Sequence, residues 1–324
     1  MLRGKKVLIT GGTGTFGKSM VKFLLNETNC KKVYVLSRDE LKQSEMQHEL
    51  KFDNRLSFFI GDIKDKERLM MAFSGIDYVI HAAAQKHVPS CEYNPFEAVK
   101  TNIIGAQNII EASIFHKTEK VIALSTDKAV EPVNLYGSTK NCMEKLFING
   151  NAYSGGTTKF SIVRYGNVIN SRGSIIPIWK KQKEKNKQLL LTDTEMTRFV
   201  ISVKDAVKFV YSSLKVMNGA EIFIPVLESI KMFDIAKTIS NNIKIIGIRD
   251  GEKIHETLIS SLETGKIFLS KKDKKSFYII YPNFFWFKNV ILDNLIMISN
   301  GFEYSSKDYI NSSQEKIREI LGND

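Results

Sequence analysis

The sequence predicts an α/β fold: a doubly wound parallel sheet followed by a smaller mixed C-terminal region. Three observations carry that prediction. Short β-branched apolar runs alternate with longer helical patterns through the first two-thirds of the chain. The runs are near-continuous rather than alternating, as strands covered on both faces of a parallel sheet require. The first run leads directly into a glycine-rich turn and a helix.

In chain order, VLIT (7–10) is the first strand and 17–26 the helix behind the glycines. VYVLS (33–37) and a helix over 39–49 follow, then LSFFIGD (56–62) and a helix over 65–73. YVIHAA (78–83) leads to a long helical pattern over 95–116. KVIALST (120–126) precedes a helix over 136–149, and FSIVRYGNV (160–168) closes the series as one strand. This βαβ rhythm favours parallel strands joined by crossover helices. After about residue 170 the strands shorten, and Pro177, Pro225 and Pro282 punctuate them. The expected organisation is a sheet domain over 1–170, with returns to the sheet near 200–225, and a second region over 171–324. A terminal helix over 313–321 is the only element expected in 284–324.

Composition narrows the function classes. The chain has 324 residues, 43% of them apolar, enough to bury a large core. Cys30, Cys91 and Cys142 are widely spaced with no CxxC pair, so they read as reduced structural thiols, not zinc ligands, in a cytoplasmic protein. MLRGKKVLIT runs directly into a strand, so no signal peptide is expected. NFFWFKNVILDNLIMI (283–298) carries Lys288, Asp293 and three asparagines; it is too short and too polar to span a bilayer. The net charge is +12, with lysine runs at 180–187 (KKQKEKNK) and 271–275 (KKDKK). No aromatics interleave with these lysines as a nucleic-acid stacking platform needs, so they read as solvated surface.

The glycine turn, TGGTGTFGKSM (10–20), fits GxGxxG through Gly12, Gly14 and Gly17, and GxxGxxG through Gly11, Gly14 and Gly17. Such a turn lets backbone approach a pyrophosphate, whose charge the following helix N-terminus holds. Gly11, Gly14, Thr15, Phe16 and Gly17 are therefore the expected cradle of a Rossmann-type fold. At the end of the second strand stands LSRDELKQ (36–43). An enzyme for NAD usually places an acid there for the ribose 2′-hydroxyl. Ser37, Arg38 and Lys42 instead suit a 2′-phosphate, so NADP is preferred over NAD. Asp39 argues the other way, since it can bind a hydroxyl. Asp62 and Ile63 end the third strand, where such folds meet the adenine. HAAAQKHVP (81–89) ends the fourth with small residues, Ala82 among them, followed by Lys86 and His87.

The stretch ALSTDKAVEPVNLYGSTK (123–140) carries the chemistry. Tyr136 and Lys140 are four apart and share a helix face. A nearby ammonium lowers the tyrosine pKa toward phenolate, and the lysine can hold a nicotinamide ribose. With Thr126 they form an acid–base set for oxidising an alcohol. Asp127 and Lys128, side by side at the end of the strand, have no task in that oxidation.

The chain resembles the extended short-chain dehydrogenase/reductases that act on nucleotide sugars. More narrowly, it is similar to the inverting, 5-epimerising UDP-N-acetylglucosamine 4,6-dehydratases of pseudaminic acid synthesis. The matching strings run from residue 9 to 256: ITGGTGTFGK, SRDELKQSEM, FFIGDIKD, HAAAQKHVP, EYNPFEAVKTNIIGAQN, ALSTDKAVEPVNLYGSTK, RYGNV, SRGSIIP, MTRF, EIFIP and GIRDGEKIHE. Retaining relatives carry Asp-Glu where the inverting group, like this chain, carries Asp-Lys. The resemblance implies that Tyr136 takes the proton of the sugar 4-hydroxyl while NADP⁺ accepts hydride from C4. Lys128 then removes the acidified C5 proton and Asp127 assists loss of the C6 hydroxyl. Hydride returns to C6, and C5 is reprotonated on the opposite face. It also implies a substrate region in 171–324. Asn167, just before that region, and Arg172, Arg198, Arg249, Glu252 and His255 within it are expected to contact UDP-N-acetylglucosamine, and Lys86 to touch both cofactor and sugar. A homo-oligomer is expected by the same resemblance.

Four positions depart from the family pattern: Asn170 for Gly, Val200 for Trp, Val226 for Lys and Asp250 for Pro. Val200 and Val226 are expected to line the substrate side. The alternative readings are a related 4,6-dehydratase/5-epimerase of capsule L-sugar synthesis and a nucleotide-sugar 4-epimerase. A non-catalytic NADP(H)-binding regulator would leave Tyr136 idle.

Overall fold

The computed structural model describes residues 2–271, 276–284 and 290–322. Most of the 271–275 lysine run, and residues 285–289 of the late apolar stretch, lie outside the described residues.

The chain opens with β1 (Lys6–Thr10), α1 (Thr15–Glu27), β2 (Lys32–Ser37), α2 (Glu40–Glu49), β3 (Leu56–Ile60), α3 (Lys66–Ala72) and β4 (Tyr78–His81). Next come α4 (Val88–Tyr93), which the sequence did not suggest, and the long helix over 95–115. That helix has three parts: α5 (Pro95–Val99), a π-helical turn (Lys100–Ile104) and α6 (Gly105–Phe115). β5 (Lys120–Thr126) ends in a 3₁₀ turn (Asp127–Ala129), followed by α7 (Leu135–Tyr153) and β6 (Lys159–Tyr165). Shorter pieces follow: β7 (Asn167–Val168), α8 (Ile175–Glu184), β8 (Leu189–Leu191), β9 (Thr197–Ile201), α9 (Val203–Val216) and β10 (Ile222–Pro225). The remainder is β11 (Ser229–Lys231), α10 (Met232–Ile239), β12 (Ile243–Ile245), β13 (Thr257–Ile259), β14 (Lys266–Ser270), β15 (Phe277–Tyr281), β16 (Leu295–Met297), β17 (Tyr304–Ser305) and α11 (Gln314–Leu321).

Ten strands form one sheet in the order β16-β14-β15-β10-β6-β5-β4-β1-β2-β3. The seven from β3 to β10 are parallel. β15, β14 and β16 extend it antiparallel. The winding reverses between β1 and β4, and the crevice beyond their C-terminal ends is where such sheets take ligands. Both faces are covered. Leu8, Val79, Val121 and Ile162 pack on one side against α3, α6 and α7. Val7, Ile9, Ile80 and Val163 pack on the other against α1 and α9.

Two expectations change here. FSIVRYGNV is not one strand: it leaves the sheet after Tyr165, and Asn167–Val168 pair instead with Val200–Ile201 of β9. β10 holds only Ile162 and Val163 of β6, so the end of β6 is free to peel away toward β9. The segment after residue 170 also returns to the large sheet more than once, through β10 and again through β14, β15 and β16. α11 lies close to where the terminal helix was expected. It buries Ile317, Ile320 and Leu321 in a separate core with Trp179, Leu191 and Ile235. Val200 belongs to that core as well, so it packs inside and does not line the substrate side.

A buried ion network ties the two halves together. Arg164 of β6 donates to both oxygens of Glu144 on α7, at 3.1 and 2.6 Å, and to Glu263 at 3.0 and 3.3 Å. Its Nη1 also reaches Leu258 O, and Ser125 of β5 donates to Glu144. Such a pair is weak support for stability when compared with an apolar replacement, but removing one partner strands a buried charge. Glu144→Ala should therefore cost about 3–5 kcal/mol. In urea unfolding it should lower the midpoint without changing the slope; a loss under about 1 kcal/mol would show that the network is dispensable.

Candidate active site

The crevice begins at the glycine turn. Gly11 has φ +66, and a Cβ there would lie 2.9 Å from Ala83 Cα, so only glycine lets β1 turn this close to the end of β4. Gly14 caps α1 in extended conformation with no side-chain hydrogen bond, leaving the first helical amides, at Thr15, Phe16 and Gly17, without a side-chain cap. No acid stands in that first turn. A glycine at the crossing and an uncapped, acid-free helix N-terminus are what a pyrophosphate needs, so these residues fit the expected dinucleotide.

The end of β2 is more crowded than the sequence suggests. Ser37 is buried and accepts a hydrogen bond from Gln43 Nε2 at 2.9 Å. Asp39 caps α2, accepting from the Lys42 amide at 3.0 Å, and also pairs with the Lys42 ammonium. Lys42 accordingly holds the Asp39 carboxyl below its usual range. Arg38 is largely exposed, 3.7 Å from Asp62 at the end of β3. Asp62 thus faces Arg38 across the ends of β3 and β2, whereas Ile63 turns its side chain into the core. Ala82 is half-buried, its amide bonded to Thr10 O. Lys86 and His87 lie on the exposed loop before α4.

The candidate catalytic residues gather at the C-terminal end of β5. Thr126 Oγ1 donates to Asp127 Oδ1 at 2.9 Å and shares a hydrogen bond with the Tyr136 phenol. Lys128 Nζ lies 3.1 Å from Asp127 Oδ1, 3.0 Å from Glu256 Oε1 and 3.4 Å from Asn167 Oδ1. Asp127 is fully buried, and its Oδ2 has no hydrogen-bond partner among the described residues. Burial pushes the Asp127 carboxyl up, opposed by Lys128. Burial also pushes the Tyr136 phenol up to about 12, and Lys128 is the main group opposing it.

Lys140 behaves differently from expectation. Its Nζ donates to Leu124 O at 2.7 Å and lies 2.9 Å from Met143 Sδ, and burial lowers its pKa to about 8. The cation that favours the Tyr136 phenolate is Lys128, because Lys140 is turned back under the helix toward β5. Lys128 itself is not a free amine: burial disfavours its charge, but Asp127 and Glu256 together raise its pKa above the ordinary lysine value.

The substrate candidates divide. Asn167 reaches Lys128 because β6 peels away. Arg198 is buried, with its Nη atoms donating to the carbonyls of Thr197, Ile254 and Lys253 and its Nε 3.7 Å from Glu256. Arg249 pairs with Glu252, whose other oxygen is buried and without a hydrogen-bond partner among the described residues. His255 Nδ1 shares a hydrogen bond with Thr197 Oγ1 at 2.8 Å. Arg172 lies apart from these. Its amide donates to Thr15 Oγ1 at 3.2 Å, and its charge helps lower Asp39, so the structure places it beside the glycine turn and the start of α2. Asn170 beside it has φ +54, a conformation glycine or asparagine adopts readily, which accounts for the exchange at that position. Val226 is exposed at the end of β10.

Residues 7–280 match the family described as "Polysaccharide biosynthesis protein". A UDP-N-acetylglucosamine 4,6-dehydratase (inverting) of Campylobacter jejuni is 47% identical, covering 98% of this chain and 96% of that protein. The chain belongs to the inverting UDP-N-acetylglucosamine 4,6-dehydratase family. The crystal structure of Pen from Bacillus thuringiensis superposes with a TM-score of 0.90 at 36% identity, covering 100% of this chain and 98% of that one. The dTDP-glucose 4,6-dehydratase DesIV of Streptomyces venezuelae, solved with NAD and TYD bound, shares the fold. Its TM-score is 0.70 at 20% identity, over 77% of this chain and 86% of that one.

Three residues of this family member escaped the sequence reading. Glu256 closes the matching string GEKIHE, but nothing local marks it as a partner of Lys128. Asn102, in the π turn, accepts from the Gln85 amide at 2.8 Å and donates to Gln85 O and Thr139 Oγ1, joining the Lys86 loop to the tyrosine helix. Gly137 follows the tyrosine: a Cβ there would stand 2.1 Å from Lys128 O. That contact is backbone, so a side chain must displace the Asp127–Lys128 turn from α7. Gly137→Ala should lower kcat at least about 100-fold, the scale of a misplacement near 1 Å, while dinucleotide binding, measured by calorimetry, persists. An unchanged kcat would show that the turn does not need this approach.

Proposed function

We propose that the chain converts UDP-N-acetylglucosamine to UDP-2-acetamido-2,6-dideoxy-β-L-arabino-hexos-4-ulose, inverting C5, with NADP as resident cofactor. The observation that carries this reading is the buried Asp127–Lys128 pair hydrogen-bonded beside Tyr136. A simple 4-epimerase needs the tyrosine but has no use for the pair.

The glycine turn and the first amides of α1 would hold the pyrophosphate, with Arg38, Lys42 and Arg172 around the 2′-phosphate. A bound nicotinamide supplies the hydride acceptor for C4 and the donor for C6. Tyr136, as phenolate favoured by Lys128, takes the proton of the 4-hydroxyl. The new ketone acidifies C5–H. The proton shared by Lys128 and Asp127 then decides what the pair can do. Moved to Asp127, it leaves a neutral amine and a neutral acid; burial favours that form, while the attraction of Asp127 and Glu256 for the ammonium opposes it. The amine takes the C5 proton, and the acid protonates the departing C6 hydroxyl. The pair returns to ammonium and carboxylate, and one water has left. Inversion requires the incoming C5 proton to arrive on the face away from Lys128.

The deciding experiment uses the purified protein with UDP-N-acetylglucosamine and NADP⁺ in D₂O, followed by NMR. The expected product has a 6-methyl group, a 4-keto group, deuterium at C5 and inverted C5 configuration. A retained C6 hydroxyl would refute dehydration, and retained C5 configuration would refute inversion. The cofactor choice has its own test. Arg38→Ala should weaken NADP⁺ binding about 10- to 100-fold, the range of one charge-assisted hydrogen bond, and leave NAD⁺ binding unaltered. Equal losses for both cofactors would remove the argument for the 2′-phosphate.

A further inference from the structure

Asp127 and Lys128 have a third charged neighbour that this chemistry does not use. Glu256 lies at the entry to β13, 2% exposed, its amide donating to Ser306 Oγ at 2.9 Å. Oε1 stands 3.0 Å from Lys128 Nζ and 3.7 Å from Arg198 Nε. Oε2, like Asp127 Oδ2, is buried without a hydrogen-bond partner among the described residues. Arg198 cannot leave Glu256 without breaking its three bonds to backbone carbonyls. Two carboxylates and two cations therefore share one largely buried place.

We infer that Glu256 is a positioning residue for the elimination: held ionised between Lys128 and Arg198, it makes Asp127, not itself, the carboxyl that receives and hands on the proton. The inference rests on the dehydratase reading. Of two carboxylates flanking one ammonium, the one with a second cation keeps its charge, and the other protonates first. The directions agree. The Asp127 carboxyl is raised by burial, with the Glu256 charge adding to it. The Glu256 carboxyl is lowered overall, because Lys128 and Arg198 outweigh its burial. When the proton moves from Lys128 Nζ to Asp127 Oδ1, an N–H bond breaks and an O–H bond forms. The Glu256–Arg198 pair remains, so no lone charge is left buried. The C5 proton then restores the ammonium, and Asp127 gives its proton to the leaving oxygen.

The groups that face this proton are few. Asp127 meets Lys128 in its own turn, Tyr136 from α7 and Glu256 from the β13 entry. Lys128 meets the same groups and Arg198 from β9, and Glu256 also feels Lys253. Removing the Glu256 charge lowers the proton affinity of both Lys128 and Asp127. Both limbs of the pH–rate bell must then move to lower pH.

The test measures kcat and kcat/KM for product formation against pH in the NADP-loaded enzyme, its Glu256→Gln variant and its Glu256→Asp variant. Glu256→Gln should move both limbs down by about one pH unit or more. Glu256→Asp, which keeps the charge, should leave the limbs in place even where kcat falls. Limbs that stay fixed in Glu256→Gln while the plateau drops would reduce Glu256 to a structural part and overturn the inference. Should Glu256→Gln not fold, ¹³C-carboxyl NMR of the wild-type enzyme decides. Asp127, assigned with Asp127→Asn, should titrate above the usual carboxylate range while Glu256 stays ionised; the reverse order overturns the inference. Absence of any dehydrated product from the wild type would instead refute the dehydratase reading, and the NMR titration would still judge the proton order.

Discussion

Taking charged side chains out of water is costly unless each finds an opposite charge or a hydrogen-bond partner. Lys128 meets that constraint between Asp127 and Glu256, and the arrangement around it follows. The ammonium must leave β5 on a turn tight enough to lie against α7, so the position after the tyrosine has no room for a Cβ. Its second carboxylate must come from a segment more than a hundred residues later, so β9 and the β13 entry have to reach the same end of the sheet. Its third contact, Asn167, is available because β6 leaves the sheet two residues earlier.

The same logic separates two kinds of buried charge in this molecule. The Arg164–Glu144–Glu263 network is saturated: each guanidinium nitrogen and both Glu144 oxygens have partners, and it holds α7 to the later chain. The cluster at Lys128 is left incomplete, with Asp127 Oδ2 and Glu256 Oε2 both unsatisfied. A native core seldom leaves two carboxylates around one ammonium with an orphaned oxygen each. Buried oxygens left with unused hydrogen-bonding capacity are where an incoming hydroxyl can be met.

Much of this was legible in the sequence because it is local. The near-continuous runs from Val7 to Thr126 place strands, the glycines after Thr10 place the dinucleotide turn, and the four-residue spacing of Tyr136 and Lys140 places them on one helix. What was not legible depends on approach in three dimensions. Arg198 reads as an exposed anion fork until its nitrogens are seen bonded to backbone carbonyls. Arg172 reads as a substrate contact until the loop at Asn170 folds it over Thr15. Lys140 reads as the tyrosine's cation because spacing sets a face but not the direction of a long side chain. β16 and β17 span three and two residues, too short for any periodicity to show. Glu256 is silent for the most general reason: a carboxylate at the start of a strand is unremarkable until the ammonium it faces is known.

The shared position of Lys128 also orders the proposed chemistry. It is the main group opposing the rise of the Tyr136 pKa, so the charged ammonium belongs with the phenolate that starts the oxidation. When Tyr136 takes the 4-hydroxyl proton, that phenolate charge disappears, and Lys128 loses one of the anions that held its own proton. Its proton affinity falls at the moment C5–H becomes acidic, with Asp127 already raised to receive the proton. On this account the oxidation primes the elimination through one ammonium. Asp-Glu, the pair of the retaining relatives, could not act this way: a carboxylate beside the phenol would raise its pKa further, and its own protonation would ease the phenol's ionisation instead of following it.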